Sequence, residues 1–194
     1  FTHVKNLYSD KSYYFITTDK GTSKQIVTTP SDPSPNKTIA DFDDYISHES
    51  DEFNLGASGR FWLGDKLSTI KTNTSFSFNF PNLITSSAIK FNTRVAGNSS
   101  YSSSFIINAN GQQIASVSTP SNISSDPYHD SYGASSKSVN FTSTSDQINL
   151  DFNFNSPDPN GNSYGYIDYF EMNAKRALSF TGNAMPFRNT TSAG

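Results

Sequence analysis

The densest chemistry in the sequence lies between Asp41 and Asp65, where seven acidic residues, one of only four arginines and the sole tryptophan fall together. Gly56, Gly59 and Gly64 permit tight backbone turns around Arg60 and Trp62. Two readings follow. Trp62 is either an exposed platform for sugar stacking or docking, or it packs in the core while Arg60 pairs with Glu49 or Asp51. A guanidinium fork suits such a bidentate carboxylate partner, and this structural reading is the preferred expectation. A second landmark is the late aromatic run Tyr164-Gly165-Tyr166-Ile167-Asp168-Tyr169-Phe170, with Asp168 at its centre.

Catalytic sets are harder to assemble. The chain has no cysteine, so thiol chemistry is excluded. With 33 serines, any spacing to His3, His48 or His129 arises by chance, and Gly56-Ala57-Ser58-Gly59 is one residue short of a nucleophile elbow. A glycosidase needs two opposed carboxylates; Glu49, Glu52 and Glu171 are available, but nothing selects a pair. Asp158, Asn160 and Asn162 place oxygen ligands at alternate positions, as calcium loops do. The twelve-residue loop then wants Gly at position six and Glu at twelve, where this chain has Ser163 and Tyr169. A looser structural calcium site stands beside the plainer reading, a polar turn between strands. His129-Asp130 reads as solvated surface. No catalytic residue and no obligatory cofactor is assigned.

Composition narrows the class further. A net charge of −3 leaves no basic footprint for phosphates, so nucleic acid is not an expected partner. No apolar run approaches the ~20 residues of a membrane helix. The 33 Ser, 18 Thr and 20 Asn compete for backbone hydrogen bonds and disfavour helices, as does the scarcity of Glu. Sixteen Phe and ten Tyr against 25 Leu, Ile and Val describe a core of few, bulky side chains. The expected fold is all-β: an antiparallel β-sandwich of jelly-roll or galactose-binding-like type. The start at Phe1, without initiator Met or signal peptide, reads as a piece of a longer chain.

Alternation places the strands. Phe76, Phe78 and Phe80 alternate with Ser75, Ser77 and Asn79; Ile89, Phe91, Thr93 and Val95 alternate with Lys90, Asn92 and Arg94; Ile148, Leu150, Phe152 and Phe154 alternate with Asn149, Asp151 and Asn153. Further strands are expected at Ser12–Thr18, Gln25–Thr29, Ser102–Asn108, Gln113–Ser118, Lys137–Thr142, Gly165–Asn173 and Arg176–Phe180. Asn110-Gly111 reads as a hairpin turn. Ala40–Phe53 is either a short helix or a strand, and loops are expected at Pro30–Asn36, Thr119–Ser136 and Ser156–Tyr164. No linker is visible, so residues 1–194 are expected to form a single domain whose last residues, 189–194, fray.

In order, Tyr13-Tyr14-Phe15-Ile16, Phe42-Asp43-Asp44-Tyr45, His48-Glu49, Gly59-Arg60-Phe61-Trp62-Leu63-Gly64, Phe80-Pro81-Asn82-Leu83, Gly165-Tyr166-Ile167-Asp168-Tyr169, Ala174-Lys175-Arg176-Ala177-Leu178 and Met185-Pro186-Phe187-Arg188 resemble one family. They are similar to the β-sandwich region ahead of the peptidase domain in type IX secretion sortases, gingipain-like cysteine peptidases of the Bacteroidetes. The resemblance spans about Ser12 to Arg188, and Gly-Arg-x-Trp-x-Gly and the Asp-Tyr strand are its most specific parts. It implies an outer-membrane-associated, cell-surface enzyme that removes C-terminal sorting signals from secreted cargo. The family's catalytic Cys and His belong to the peptidase domain, so this chain is expected to act without catalysis. Its implied partners are that peptidase domain, cargo proteins and other secretion components. The strand around Asp168 also resembles jelly-roll carbohydrate-binding modules, where a nearby acidic residue can help hold calcium; a glycan-binding module is the alternative.

Overall fold

The structure is a computed structural model that describes residues 11, 13–22, 24–31, 33–34, 37–55, 61–122 and 132–190. Among the described residues, nine strands run in chain order: β1 Asp41–Glu49, β2 Gly64–Ser68, β3 Asn73–Asn79, β4 Ile89–Asn98, β5 Ser103–Ala109, β6 Gln112–Thr119, β7 Gly133–Phe141, β8 Gln147–Asn155 and β9 Tyr164–Ala177. One sheet has the order β1-β9-β4-β7, with β2 following β1 along the same side of β9; the other has the order β3-β8-β5-β6. Every pairing is antiparallel. Apart from β1–β2 and the β5–β6 hairpin, consecutive strands cross between the two sheets, as in a jelly roll.

The alternations seen in the sequence face the space between the sheets. Ile89, Phe91, Thr93 and Val95 of β4 are buried, as are Ile148, Leu150, Phe152 and Phe154 of β8. Phe170 of β9 sits at the centre of a ring cluster, with centroids 5.0 Å from Phe76, 5.4 Å from Phe152, 5.6 Å from Phe78 and 6.2 Å from Phe91. Their tilted and edge-on geometries suit the ring quadrupoles. Asn110 and Gly111 take φ of 50° and 81°, the left-handed pair that a tight hairpin between β5 and β6 requires.

Several expectations are corrected. Residues 13–18 and 25–29 form no strand; β-prone side chains lack a neighbouring edge to pair with there. The separate strand expected at Arg176–Phe180 is instead the end of β9, which stops at Ala177. Ala40–Phe53, left open between helix and strand, supplies β1. β2 was not anticipated: among Gly64–Ser68 only Leu67 is a large apolar residue, so no alternation marks the strand. The long loop expected over Thr119–Ser136 is shortened by β6 and β7 at its two ends. Asn189 and Thr190, expected to fray, are bonded to β1: the Asn189 side-chain amide donates to the Asp41 main-chain carbonyl, and the Thr190 N–H donates to the Asp43 carboxylate, both at 2.9 Å.

Candidate functional site

Two β-bulges shape the outer face of the β9 sheet. Arg94 lies opposite Tyr169 while Val95 lies opposite Ile167, so Asp168 is the extra residue on β9. Bulges re-aim side chains, and here the Asp168 carboxylate turns to Arg94, whose Nη1 donates to Oδ2 at 2.6 Å. A second bulge lies between Gly64 and Lys66, where Asp65 takes a φ of 37° and meets His48 Nε2 at 2.6 Å. Gly64 is required by close approach: a Cβ there would lie 2.6 Å from that of Ser50.

On the Arg94 side of the sheet, residues 50–55 and 61–63 form a flap. Phe53 and Leu63 exchange backbone hydrogen bonds at 2.8 Å. Leu63, Ala96, Tyr132 and Tyr166 form a small second core there, with Phe53, Leu55, Ala134 and Tyr164 packed against it. This anchoring leaves Phe61 and Trp62 at the surface, with the Arg94 guanidinium 5.5 Å from the Phe61 ring centroid. Lys66 Nζ lies 3.9 Å from the Tyr164 ring centroid on the same flank.

The electrostatics are those of a closed network. Burial would lower the Arg94 pKa, but the charge and hydrogen bond of Asp168, with help from Tyr132, hold it above its ordinary value. Burial pushes the Tyr169 phenol up, and the charges of Glu171, Asp168 and Glu49 add to that against Arg94. Glu171 is buried and accepts the Asn92 side-chain amide at 2.7 Å. Glu49, Asp168 and Glu171 therefore surround Tyr169, yet among the described residues no group of three acidic or histidine side chains has the geometry to hold a metal ion.

The structure distributes the sequence candidates unevenly. Trp62 is 42% exposed, so the expectation that it packs in the core is overturned. The sandwich interior is filled by phenylalanines, and the indole is left outside the flap that Leu63 anchors. Tyr132 is buried in the second core. Arg60, Tyr128, His129 and Asp130 lie outside the described residues, so the Arg60 pairing with Glu49 or Asp51 does too. Glu49 ends β1, and Asp51 begins the flap. Arg94 was overlooked as a site residue, although its place on the polar face of an alternating strand, across from the aromatic run, was the available signal.

The Asp158 carboxylate is engaged by its own turn. One carboxylate oxygen accepts the Asn160 N–H at 2.9 Å; the other accepts the Asn162 N–H at 2.9 Å and the Ser163 hydroxyl at 3.0 Å. Asn160 and Asn162 thus turn backbone donors, not oxygen ligands, toward Asp158, as in an Asx-type turn. A cleft of ≈ 600 Å³ opens nearby, lined by hydroxyls from Thr69, Thr72, Ser102, Ser104 and Ser156 and by no titratable side chain. Neither place assembles a nucleophile with a base.

No protein-family model matches the sequence, and no curated protein matches it. Among solved structures, the chain is similar to dimeric latent PorU from Porphyromonas gingivalis, at 18% identity and a TM-score of 0.63 over 81% of this chain. The chain spans 15% of that PorU's length, and the likeness is one of fold. It also matches a family 36 carbohydrate-binding module in complex with calcium and xylotriose, at 14% identity, a TM-score of 0.42, and 66% of this chain against 98% of that one. A family 35 carbohydrate-binding module from an environmental isolate matches at 10% identity, a TM-score of 0.38, and 76% against 100%.

Proposed function

We propose that this chain is one non-catalytic jelly-roll domain, residues 1–194, of a type IX secretion sortase at the cell surface, on the extracellular side of the outer membrane. It positions the gingipain-like peptidase domain and docks cargo or secretion components. The observation that carries this reading is the exposed pair Phe61 and Trp62, with Phe61 over the half-buried Arg94 that Asp168 holds. Aromatics beside arginine, on a rigid support, have the composition of interface hot spots. The sequence resemblance from Ser12 to Arg188 and the shared fold with a region of PorU support the parentage. The chain holds no cysteine, so the nucleophile must come from elsewhere in the parent. Among the described residues no helix is long and apolar enough to cross a membrane.

Carbohydrate binding is the second reading, favoured by the exposure of Trp62. One titration separates the two. The chain and its Trp62→Ala variant are titrated calorimetrically with the peptidase domain and, separately, with a glycan panel, and Trp62 fluorescence is followed in the unsubstituted chain. The docking reading expects affinity for the peptidase domain to fall about tenfold or more in Trp62→Ala, as for an interface anchor. A glycan that shifts the Trp62 emission, with peptidase binding untouched by the substitution, would sink it.

A further inference from the structure

On one side the sandwich is open. β1 and β3 are edge strands of the two sheets, and between them Ile46, Phe76 and Phe78 pack on the core while staying only partly buried. The His48 and Phe76 rings, 4.6 Å apart, bridge this seam. The start of β1 is covered by a short strap from the C-terminal segment. The Arg188 carbonyl accepts the Asp43 N–H at 2.6 Å. The Thr190 hydroxyl donates to the Asp43 carboxylate and the Asn189 amide to the Asp41 carboxylate, both at 2.9 Å. The strap residues Pro186, Phe187 and Arg188 are themselves exposed, so little burial holds them in place.

Elsewhere the chain exposes a strand-like run. Tyr13, Tyr14, Phe15 and Ile16 are between 73% and 99% exposed and belong to no sheet. Leaving such a run in water forgoes the stabilisation that burial of its large apolar side chains would give. Apolar residues on both alternating faces suit a strand covered on both sides. Lys11, Lys20 and Lys24 flank the run, whereas β1 carries Asp41, Asp43, Asp44 and Glu49. The half-buried seam needs an apolar cover, and the run needs an edge.

We propose that the seam between β1 and β3 is the docking surface for the chain's own Tyr13–Thr17 segment, which adds antiparallel to the outer edge of β1 in a second state. Main-chain pairing with β1 would supply the edge bonds, and the rings would close over Ile46, His48, Phe76 and Phe78. The antiparallel sense brings Thr17 back toward the start of β1. The connecting residues 18–40 span up to about 3.3 Å each, ample for that return. Such a tether gives the segment a millimolar-scale effective concentration, which favours it over the same segment of a second copy. The strap on Asp41 and Asp43 competes for the same edge, and the state described above is the strapped one.

The absence of cysteine makes the test direct. Tyr13→Cys and Ser47→Cys are introduced together in the full chain and joined with a short bis-maleimide, while amide exchange is followed over residues 13–17. An intramolecular cross-link is expected. Its rate, and the protection of those amides, should rise about tenfold when Asn189→Ala and Thr190→Ala loosen the strap, the shift expected from losing exposed side-chain hydrogen bonds. Phe15→Asp, at a position outside the folded core, should abolish both signals. Amides at solvent exchange rates in every variant, cross-linking indifferent to the strap, or cross-linked dimers alone would overturn the proposal.

Discussion

Asp168 reaches Arg94 across the outer face of the sheet because β9 carries one residue more than β4 at that point. The carboxylate is 8% exposed and the guanidinium 26%, so the pair lies at the boundary between surface and interior. The same bulge sets the height of Arg94 beneath Phe61. An ion pair in this position fixes geometry more than it adds stability, since desolvation offsets much of the attraction.

Breaking the pair from one side should therefore cost more than removing it. Arg94→Ala leaves the Asp168 carboxylate buried without its cation and should destabilise the fold by about 2–4 kcal/mol in urea unfolding. The double substitution Arg94→Leu with Asp168→Leu should recover most of that loss. A single-variant loss under about 0.5 kcal/mol would place the pair among ordinary surface bridges.

Gly165 is a packing glycine. A Cβ there would fall 2.7 Å from the Phe105 ring and closer still to Phe154, both buried. Gly165→Ala should cost about 1–3 kcal/mol by thermal or chemical unfolding, through forced displacement of packed rings. Gly111→Ala is the contrast: nothing lies within 4 Å, and only its φ of 81° resists, so about 1 kcal/mol is expected.

Phe170 touches the rings of both sheets, and Phe170→Ala should destabilise by about 3–5 kcal/mol. Phe170→Leu should cost far less. A loss under about 1 kcal/mol in Phe170→Ala would show that ring packing at this centre is unimportant.

The strap should release in acid. Burial raises the Asp43 pKa, but hydrogen bonds from the Thr190 N–H and hydroxyl and the ion pair with Lys175 outweigh it, and the net value lies below 3.8. A carboxyl depressed on folding contributes stability that is present above its unfolded pKa and lost as pH falls through the folded one. Amide protection at Asp43 and Thr190 should thus hold at neutral pH and fall below about pH 4. In Thr190→Ala the fall should begin at higher pH; an identical profile would contradict the assignment.

Much of the fold was legible because its signal is local. The Phe76–Phe78, Ile89–Val95 and Ile148–Phe154 alternations each state which side chains need cover, and the two sheets supply it. Tyr13–Ile16 carries an equally strong strand signal and forms none, because a strand exists only where an edge accepts its backbone bonds. Trp62 misled for a related reason. Hydrophobicity says that an indole favours burial, while its exposure was decided by the flap that Phe53 and Leu63 pin to the sheet.

By itself the sequence determined an all-β chain with a phenylalanine interior and no thiol nucleophile. Residue types and period-two spacing suffice for those statements, since they concern each segment's own solvation and chemistry. Only the tertiary structure decided that Asp168 belongs to Arg94, Asp65 to His48 and Asp158 to its own turn. Partner choice among charges depends on register and bulges across strands far apart in the chain, and no local pattern encodes it.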